Sequence, residues 1–307
     1  LILGLEVLDD VERVMGYCCP VCKGVLKVSQ QRLDCPRCPR TFPIVGGVPD
    51  FFSATSDQEA VDDPNTTWLD PEIVEARDTV YRLSARELKG MAFCMAEIGR
   101  RSFPGCRILE VGMGTGHFTR WLAEVVEPGS EIYAFDFSWP IIDKARSNTR
   151  GLPGVTLFRG NARGALPFQP ASFDLLFLRL APLGPKGVPN VQAGFELLKP
   201  GGWYFGAGWE PHRYETPPTE WAMQHGYEYA EYHVWQYRRR VTAQERVATR
   251  MERERMASLG CSRFQGDQWR MEDEERELEN DGSIASMTVE HLLIARKPYH
   301  RHSQPAP

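Results

Sequence analysis

No apolar run in the chain approaches the ~20 residues needed to cross a bilayer. The opening stretch, Leu1-Ile2-Leu3-Gly4-Leu5-Glu6, lacks the basic segment of a secretory signal. We therefore expect a cytoplasmic protein without membrane contact. An excess of positive charge is missing too: 36 Lys and Arg stand against 41 Asp and Glu, a net charge of -5. That argues against a surface built throughout for a polyanion, though not against a local patch. With 42% hydrophobic and 25% charged residues over 307 positions, the chain is not disordered and can bury a sizeable core. The length suits about two domains.

Eight cysteines are present, and five of them fall in the first 38 residues. A disulfide scaffold would spread them over a small secreted chain, whereas clustering points to a metal. Cys19-Pro-Val-Cys22 and Cys35-Pro-Arg-Cys38 form two C-x2-C pairs, the spacing of a tetrahedral zinc ribbon. Cys18 is a rival to Cys19, but only Cys19 gives the two-residue gap. Gly24–Val28 and Gln31–Asp34 read as the hairpin between the pairs. Thr41–Phe52 reads as a strand, a Gly46-Gly47 turn and an apolar exit. Four thiolates would fill the coordination shell, so the ion would be structural rather than catalytic. We expect a zinc ribbon over residues 1–52, a linker and lead-in over 53–79, a main domain over 80–299 with an aromatic-rich insertion at 209–240, and a loose tail over 300–307.

The main domain opens on Ser84-Ala-Arg-Glu87, which has the form of a capping box. Leu88, Met91, Ala92, Met95 and Ile98 follow at helical spacing. A strand, Arg107–Val111, then runs into Gly112-Met-Gly114-Thr-Gly116 and a helical pattern through Phe118, Trp121, Leu122 and Val125. Such a turn lets backbone approach a ligand, and the following helix offers free N–H groups. No Lys-Ser/Thr follows the glycines, which excludes a P-loop, and the spacing G-x-G-x-G departs from the dinucleotide fingerprint. Glu110, where strand meets turn, would repel a pyrophosphate but suits an ammonium or hydroxyl. The second strand, Glu131–Phe135, ends at Asp136, and an acid there can accept both ribose hydroxyls of an adenosine. Ser138 stands where it would cap the helix of Ile141, Ile142 and Ala145.

Five motifs in order carry a resemblance over residues 80 to 298: Glu110–Gly116; Phe135-Asp136-Phe137-Ser138; Gly160-Asn161-Ala162 with Leu166-Pro167-Phe168; Ser172–Leu176; and Leu198-Lys-Pro-Gly-Gly-Trp203. With Glu290–Lys297 as a final antiparallel strand, the chain resembles the class I S-adenosylmethionine-dependent methyltransferases. The resemblance implies an α/β fold with a Rossmann-like, seven-stranded sheet. It implies cofactor contacts from Glu110 at the methionine end, from Gly112, Met113, Gly114 and Gly116, from Asp136 at the ribose, from Phe137, from Asn161 and Ala162 at the adenine edge, and from Arg179. The family more often has Asp at position 161; Asn keeps a hydrogen bond to the adenine amine.

After the fourth strand stands Arg179-Leu-Ala-Pro-Leu183 rather than the Asn/Asp-Pro-Pro-Tyr/Phe motif of many enzymes that methylate nucleobases or amides. Eleven aromatic side chains crowd residues 203–237, from Trp203 to Tyr237, with His212, His225 and His233 among them. We read this stretch as a lid over the acceptor, or else as rings that pack on the sheet. His212 is the first candidate for a general base, with Tyr214 and Glu210 as alternatives; a solvated loop histidine is the plainer reading. Thr242-Ala-Gln-Glu245 is a second capping box, opening a helix through Val247, Met251 and Leu259. Basic residues from Arg238 to Arg255 and acids from Glu272 to Asp281 read as solvated faces or as a self-complementary homodimer contact.

These features point to methyl transfer onto a small molecule, in biosynthesis. One alternative is rRNA guanine N-methylation, because a zinc ribbon ahead of this domain resembles the 23S rRNA guanine-N1 methyltransferases; those carry a Cys-Cys-Cys-His site where this chain has Cys38. Another is a methyltransferase-fold enzyme with non-methylating chemistry such as cyclisation.

Overall fold

The computed structural model describes residues 16–52, 67–181, 190–208, 216–259 and 281–299. The first of these stretches is a small four-stranded antiparallel sheet of β1 (Lys27–Ser29), β2 (Arg32–Asp34), β3 (Thr41–Val45) and β4 (Val48–Pro49). The β3–β4 turn falls where the sequence puts Gly46 and Gly47, both at positive φ.

Helix α1 (Pro71–Ser84) follows. Asp70 caps it by accepting hydrogen bonds from the Glu72 and Ile73 N–H groups, and Pro71 sits at the first position. Helix α2 (Lys89–Arg101) comes next. The expected capping box at Ser84 does not form. Ser84 ends α1, where its hydroxyl donates back to the Val80 carbonyl at 2.7 Å, and residue Leu88 stands at the N-cap of α2 with no side-chain hydrogen bond. The cap comes from elsewhere in the chain: the Glu290 carboxylate accepts from the Gly90 and Met91 N–H groups, each at 3.0 Å.

The remaining elements are β5 (Arg107–Val111), α3 (His117–Val125), β6 (Glu131–Asp136), α4 (Trp139–Thr149), β7 (Val155–Arg159), β8 (Phe173–Arg179), α5 (Asn190–Leu197), β9 (Leu198–Ala207), α6 (Pro218–Gln224), β10 (Tyr229–Val241), α7 (Ala243–Ser258) and β11 (Ile284–Arg296). They build one seven-stranded sheet in the order β10-β11-β9-β8-β5-β6-β7. All pairings from β9 to β7 are parallel, and β11 runs antiparallel to both its neighbours. This is the expected Rossmann-like sheet. Chain order reverses between β5 and β8, and the crevice at that switch point is where such sheets bind ligands. The parallel strands read as continuous apolar runs because both faces are covered. Leu109, Val111, Tyr133 and Leu176 pack on one face, while Ile108, Ile132, Leu175 and Phe177 meet α2, α3 and α4 on the other.

The lid expected over the aromatic stretch is corrected by this topology for residues 229–237. Tyr229–Val241 is a strand paired with β11 along its whole length. Tyr204 and Tyr227 are buried in the core, and Trp235 packs at a tilt against Phe93 of α2, ring centres 5.3 Å apart. Rings at alternate positions of a β-strand pack on what covers the sheet. Trp209 lies outside the described residues, as do the linker segment 53–66, most of the acidic stretch to Asp281, and the tail 300–307. The second capping box is present in half: Thr242 accepts from the Glu245 N–H, while Glu245 itself turns to pair with Arg239. Val247, Met251 and Leu259 are exposed, and α7 buries Ala248, Glu252 and Met256 instead, with Glu252 paired to Arg77 of α1.

The ribbon does not stand apart from this sheet. Asp50 forms a parallel bridge with Arg159 at the outer edge of β7, and the Phe51 N–H donates to the Arg159 carbonyl at 2.9 Å. Tyr17, Phe42 and Phe51 of the ribbon share one core with Tyr133, Phe158 and Phe168 of the main domain.

Candidate active site

β5 delivers Glu110 to the sheet's C-terminal edge, and the chain then turns through Gly112, Gly114 and Gly116 at φ of 69°, 54° and 85°. All three need the left-handed region that glycine alone enters freely. At Gly112 space is short as well, since a Cβ there would stand 2.5 Å from that of Ala181 after β8. The first two strands are tied at this point: the Gly112 and Met113 N–H groups donate to the Phe135 carbonyl at 3.1 and 3.0 Å. Gly116 is the N-cap of α3.

Two buried carboxylates flank the turn. Asp136 accepts from the Phe137 N–H at 2.8 Å and the Gly114 N–H at 3.2 Å. Burial still pushes its pKa up to about 6, with those N–H groups opposing. Glu110 is pushed higher, to about 8, by burial and by the nearby Asp136, against the Thr119 hydroxyl. Its Oε2 has no hydrogen-bond partner, and neither has the Thr115 hydroxyl. Buried polar groups are rarely left so, and a ligand ammonium or hydroxyl entering the turn would satisfy them. Asn161 lies at the end of the next strand, its Oδ1 accepting from the Arg163 N–H at 2.9 Å, with Ala162 partly buried beside it. The structure thus brings Glu110, the three glycines, Met113, Asp136, Phe137, Asn161 and Ala162 to the C-terminal ends of β5, β6 and β7.

Arg179 ends β8. Its Nη1 donates to the Tyr81 hydroxyl of α1 at 2.9 Å, and the guanidinium stacks 4.7 Å from the centre of the Phe118 ring. Burial works to raise the Tyr81 pKa, but Arg179 and Arg77 outweigh it and hold the phenol below its usual value. Helix α1 is anchored to the glycine turn by a second contact: His117 Nε2 lies 2.9 Å from Asp78, and the Asn148 amide donates to both Asp78 and the Thr115 carbonyl. Ser138 occupies the N-cap of α4 as expected, but its hydroxyl is turned to the Trp68 carbonyl rather than to the helix.

Beyond the ends of β8 and β9 lies a cavity of about 360 Å³ lined by Gly90, Met91, Arg179, Leu180, Gly208 and His291, among others. Its wall reaches Leu180, the neighbour in sequence of the Ala181 that crowds Gly112. The candidates for a general base, Glu210, His212 and Tyr214, lie outside the described residues. Sequence reasoning missed Tyr81, Glu290 and the pair of His291 Nδ1 with the Tyr232 hydroxyl at 2.6 Å. The residues Glu290-His291 carry no local motif, and only the sheet register brings them to the cavity.

In the ribbon, Cys19, Cys22, Cys35 and Cys38 gather with their sulfurs within 4.8 Å of one another. Cys19 and Cys38 are 3.7 Å apart and Cys22 and Cys35 3.3 Å. A tetrahedral ion with Zn–S bonds of about 2.3 Å sets sulfurs roughly 3.8 Å apart. Despite burial, hydrogen bonds from the Arg37 backbone and from Cys22 and Cys38 hold Cys35 down at about 7, while burial and the neighbouring Cys35, Cys22 and Cys19 drive Cys38 up to about 12. Four thiols this close do not all ionise without a cation among them. Cys18 is buried outside the cluster, its N–H donating to the Pro167 carbonyl.

A family model for the methyltransferase domain matches residues 108–202. Two curated relatives are demethylmenaquinone methyltransferases. The one from Anoxybacillus flavithermus is 35% identical over 32% of this chain and 42% of its own length. The one from Staphylococcus aureus is 32% identical over 35% of this chain and 44% of its own. The chain thus spans less than half the length of these relatives. Among solved structures, the YcgJ protein from Bacillus subtilis is 17% identical, with a TM-score of 0.43 over 66% of this chain and 96% of that one. No described helix is long and apolar enough to cross a membrane.

Proposed function

We propose that this chain, which carries a class I methyltransferase domain, is an S-adenosylmethionine-dependent methyltransferase acting on a small molecule. The observation that carries the reading is the unpaired, buried Glu110 Oε2 at the mouth of the glycine turn, beside Asp136. A turn with two buried acids suits an amino acid joined to an adenosine and would reject a pyrophosphate. In this reading Glu110 takes the methionine end and the backbone of Gly112, Met113, Gly114 and Gly116 runs along the ligand. Asp136 takes the ribose hydroxyls, Phe137 packs beside the adenine, Asn161 and Ala162 meet its edge, and Arg179 closes the methionine side.

The bound cofactor would supply an electrophilic methyl group on a sulfonium. What the chain contributes is placement. The 360 Å³ cavity is of small-molecule size, and holding an acceptor there in line with the methyl group removes most of the entropic barrier. Glu290 is committed to the α2 N-terminus and to Tyr237, whose hydroxyl donates to it at 2.5 Å, so it orients the cavity wall rather than taking a proton. The names of the curated relatives support the reaction class, and we carry over from them a small-molecule acceptor only. For the four cysteines we propose structural zinc, and for the chain a cytoplasmic setting where its cysteines stay reduced.

Calorimetric titration with S-adenosylhomocysteine tests the reading. Binding with a dissociation constant in the micromolar range is expected, and no binding would sink it. Salt-sensitive binding to rRNA fragments would transfer the acceptor assignment to RNA.

A further inference from the structure

Arg159, the last residue of β7, belongs to two parts of the molecule at once. Its Nη1 pairs with Asp50 of the ribbon at 3.0 Å, and both side chains are largely buried, 16% and 8% exposed. Its Nε donates to the Phe137 carbonyl at 2.8 Å. The guanidinium lies 4.4 Å from the Phe52 ring centre and 5.3 Å from that of Trp139, and Phe52 in turn faces Phe137 at 6.5 Å. Phe137 is the residue whose N–H is held by Asp136. A ribbon side chain therefore fixes, through one arginine, the backbone that shapes the ribose end of the site.

A second set of contacts reaches the adenine side. Lys23, within the first cysteine knuckle, donates to the Leu166 and Phe168 carbonyls at 2.9 and 3.1 Å. Gln169 donates back to the Lys23 carbonyl, and the Cys18 N–H to that of Pro167. These anchor the segment that continues from Asn161-Ala162. The ribbon thus grips both loops that would flank the nucleoside.

We propose that Arg159 is a positioning residue for the cofactor, and that through it and Asp50 the cysteine ribbon sets the ribose–adenine end of the site. The inference rests on the methyltransferase reading above. A buried arginine with two fixed acceptors is rigid, and losing one acceptor leaves a buried charge that must find another partner. The carbonyl of Phe137 then loses its restraint, and the cost falls on ligand binding through lost pre-organisation.

The test titrates S-adenosylhomocysteine and 5′-methylthioadenosine, which lacks the amino-acid arm, into wild type, Arg159→Gln and the milder Asp50→Asn. Lys199→Gln, which breaks the Lys199–Asp174 ion pair at the opposite end of the strands, is the control for general destabilisation. Both ligands are expected to bind about tenfold more weakly to Arg159→Gln and several-fold more weakly to Asp50→Asn, with metal content unchanged. In turnover, KM for the cofactor should rise while kcat at saturation stays within about twofold. Affinities of both variants within twofold of wild type, losses no larger than that of Lys199→Gln, or a fall in kcat without a change in KM would each overturn the proposal. A wild type that binds neither ligand overturns the methyltransferase reading and this one together; a wild type that binds, with variants that bind equally well, overturns this one alone.

Discussion

The Glu290 carboxylate on the last strand accepts hydrogen bonds from the Gly90 and Met91 N–H groups at the start of α2, two hundred residues earlier in the chain. It also receives the Tyr237 hydroxyl, which itself accepts from the Lys89 N–H at 3.0 Å. A negative charge at a helix N-terminus satisfies free donors and meets the positive end of the dipole. Glu290→Ala is expected to lower stability by about 1–2 kcal/mol, read as a reduced midpoint in urea denaturation. An unchanged midpoint would mean that Tyr237 alone suffices as the cap.

Glu110 makes the free protein sensitive to pH. Its folded pKa, near 8, is raised above the ordinary 4.5, so burial favours the neutral acid. Stability from this group is full below about pH 4.5 and is lost as pH rises through 8. Glu110→Gln should therefore raise Tm at pH 8.5 more than at pH 5. The same change should weaken S-adenosylhomocysteine at least tenfold, since a cationic ammonium needs the carboxylate. In wild type, affinity should climb between pH 6 and 8, with a proton released on binding, visible as calorimetric heats that depend on the buffer. A flat pH profile would remove Glu110 from the ligand.

Asp136 offers a cleaner cofactor test, because its hydrogen bonds to Gly114 and Phe137 reach only backbone. Asp136→Ala should cost about 2–3 kcal/mol of S-adenosylhomocysteine binding, the price of two charge-assisted hydrogen bonds. Retained affinity would show that the ribose sits elsewhere.

Elemental analysis should find about one zinc per chain. Cys22→Ser should abolish it and unfold the ribbon, whereas Cys18→Ser should keep it, because Cys18 lies outside the cluster. Metal lost equally in both variants would reopen the choice between Cys18 and Cys19.

Features that depend on spacing alone were legible in the sequence. The C-x2-C pairs, the glycine turn and Asp136 at the end of its strand follow from local chemistry, and the seven-stranded sheet was implied by the family resemblance. What escaped the reading depends on partners far away in the chain. Ser84 looked like a cap because Glu87 follows it, but its hydroxyl bonds Val80 at a helix end, and the true cap for the next helix arrives from Glu290. Helix α1 hid behind the Asp70-Pro71 step at the end of a polar stretch, although that step is itself a start signal. The aromatics of residues 229–237 suggested a pocket. Their burial alternates instead, with Val234, Gln236, Arg238 and Arg240 exposed between Trp235, Tyr237 and Arg239. That period of two belongs to a strand and was visible in principle. On α7, Val247 and Met251 mark the helix but not its buried face, which is taken by Ala248 and by Glu252, whose charge is met by Arg77 of α1.

The parallel bridge between Asp50 and Arg159 also bears on how this molecule can meet a copy of itself. A sheet has two flanks, and each presents unpaired backbone that can recruit another strand. Here the β7 flank carries a one-residue stub of the ribbon, with Phe51 and Phe52 following, so it cannot accept a second chain in register. Among the described residues, main-chain pairing is left to β10 at the far flank, thirteen residues long. Antiparallel addition of a second copy along its whole length would set Arg239 opposite Glu231 of that copy, because the two lie equally far from the strand's midpoint. Among the described residues, one flank is closed by the ribbon and the other presents complementary charges to a second copy.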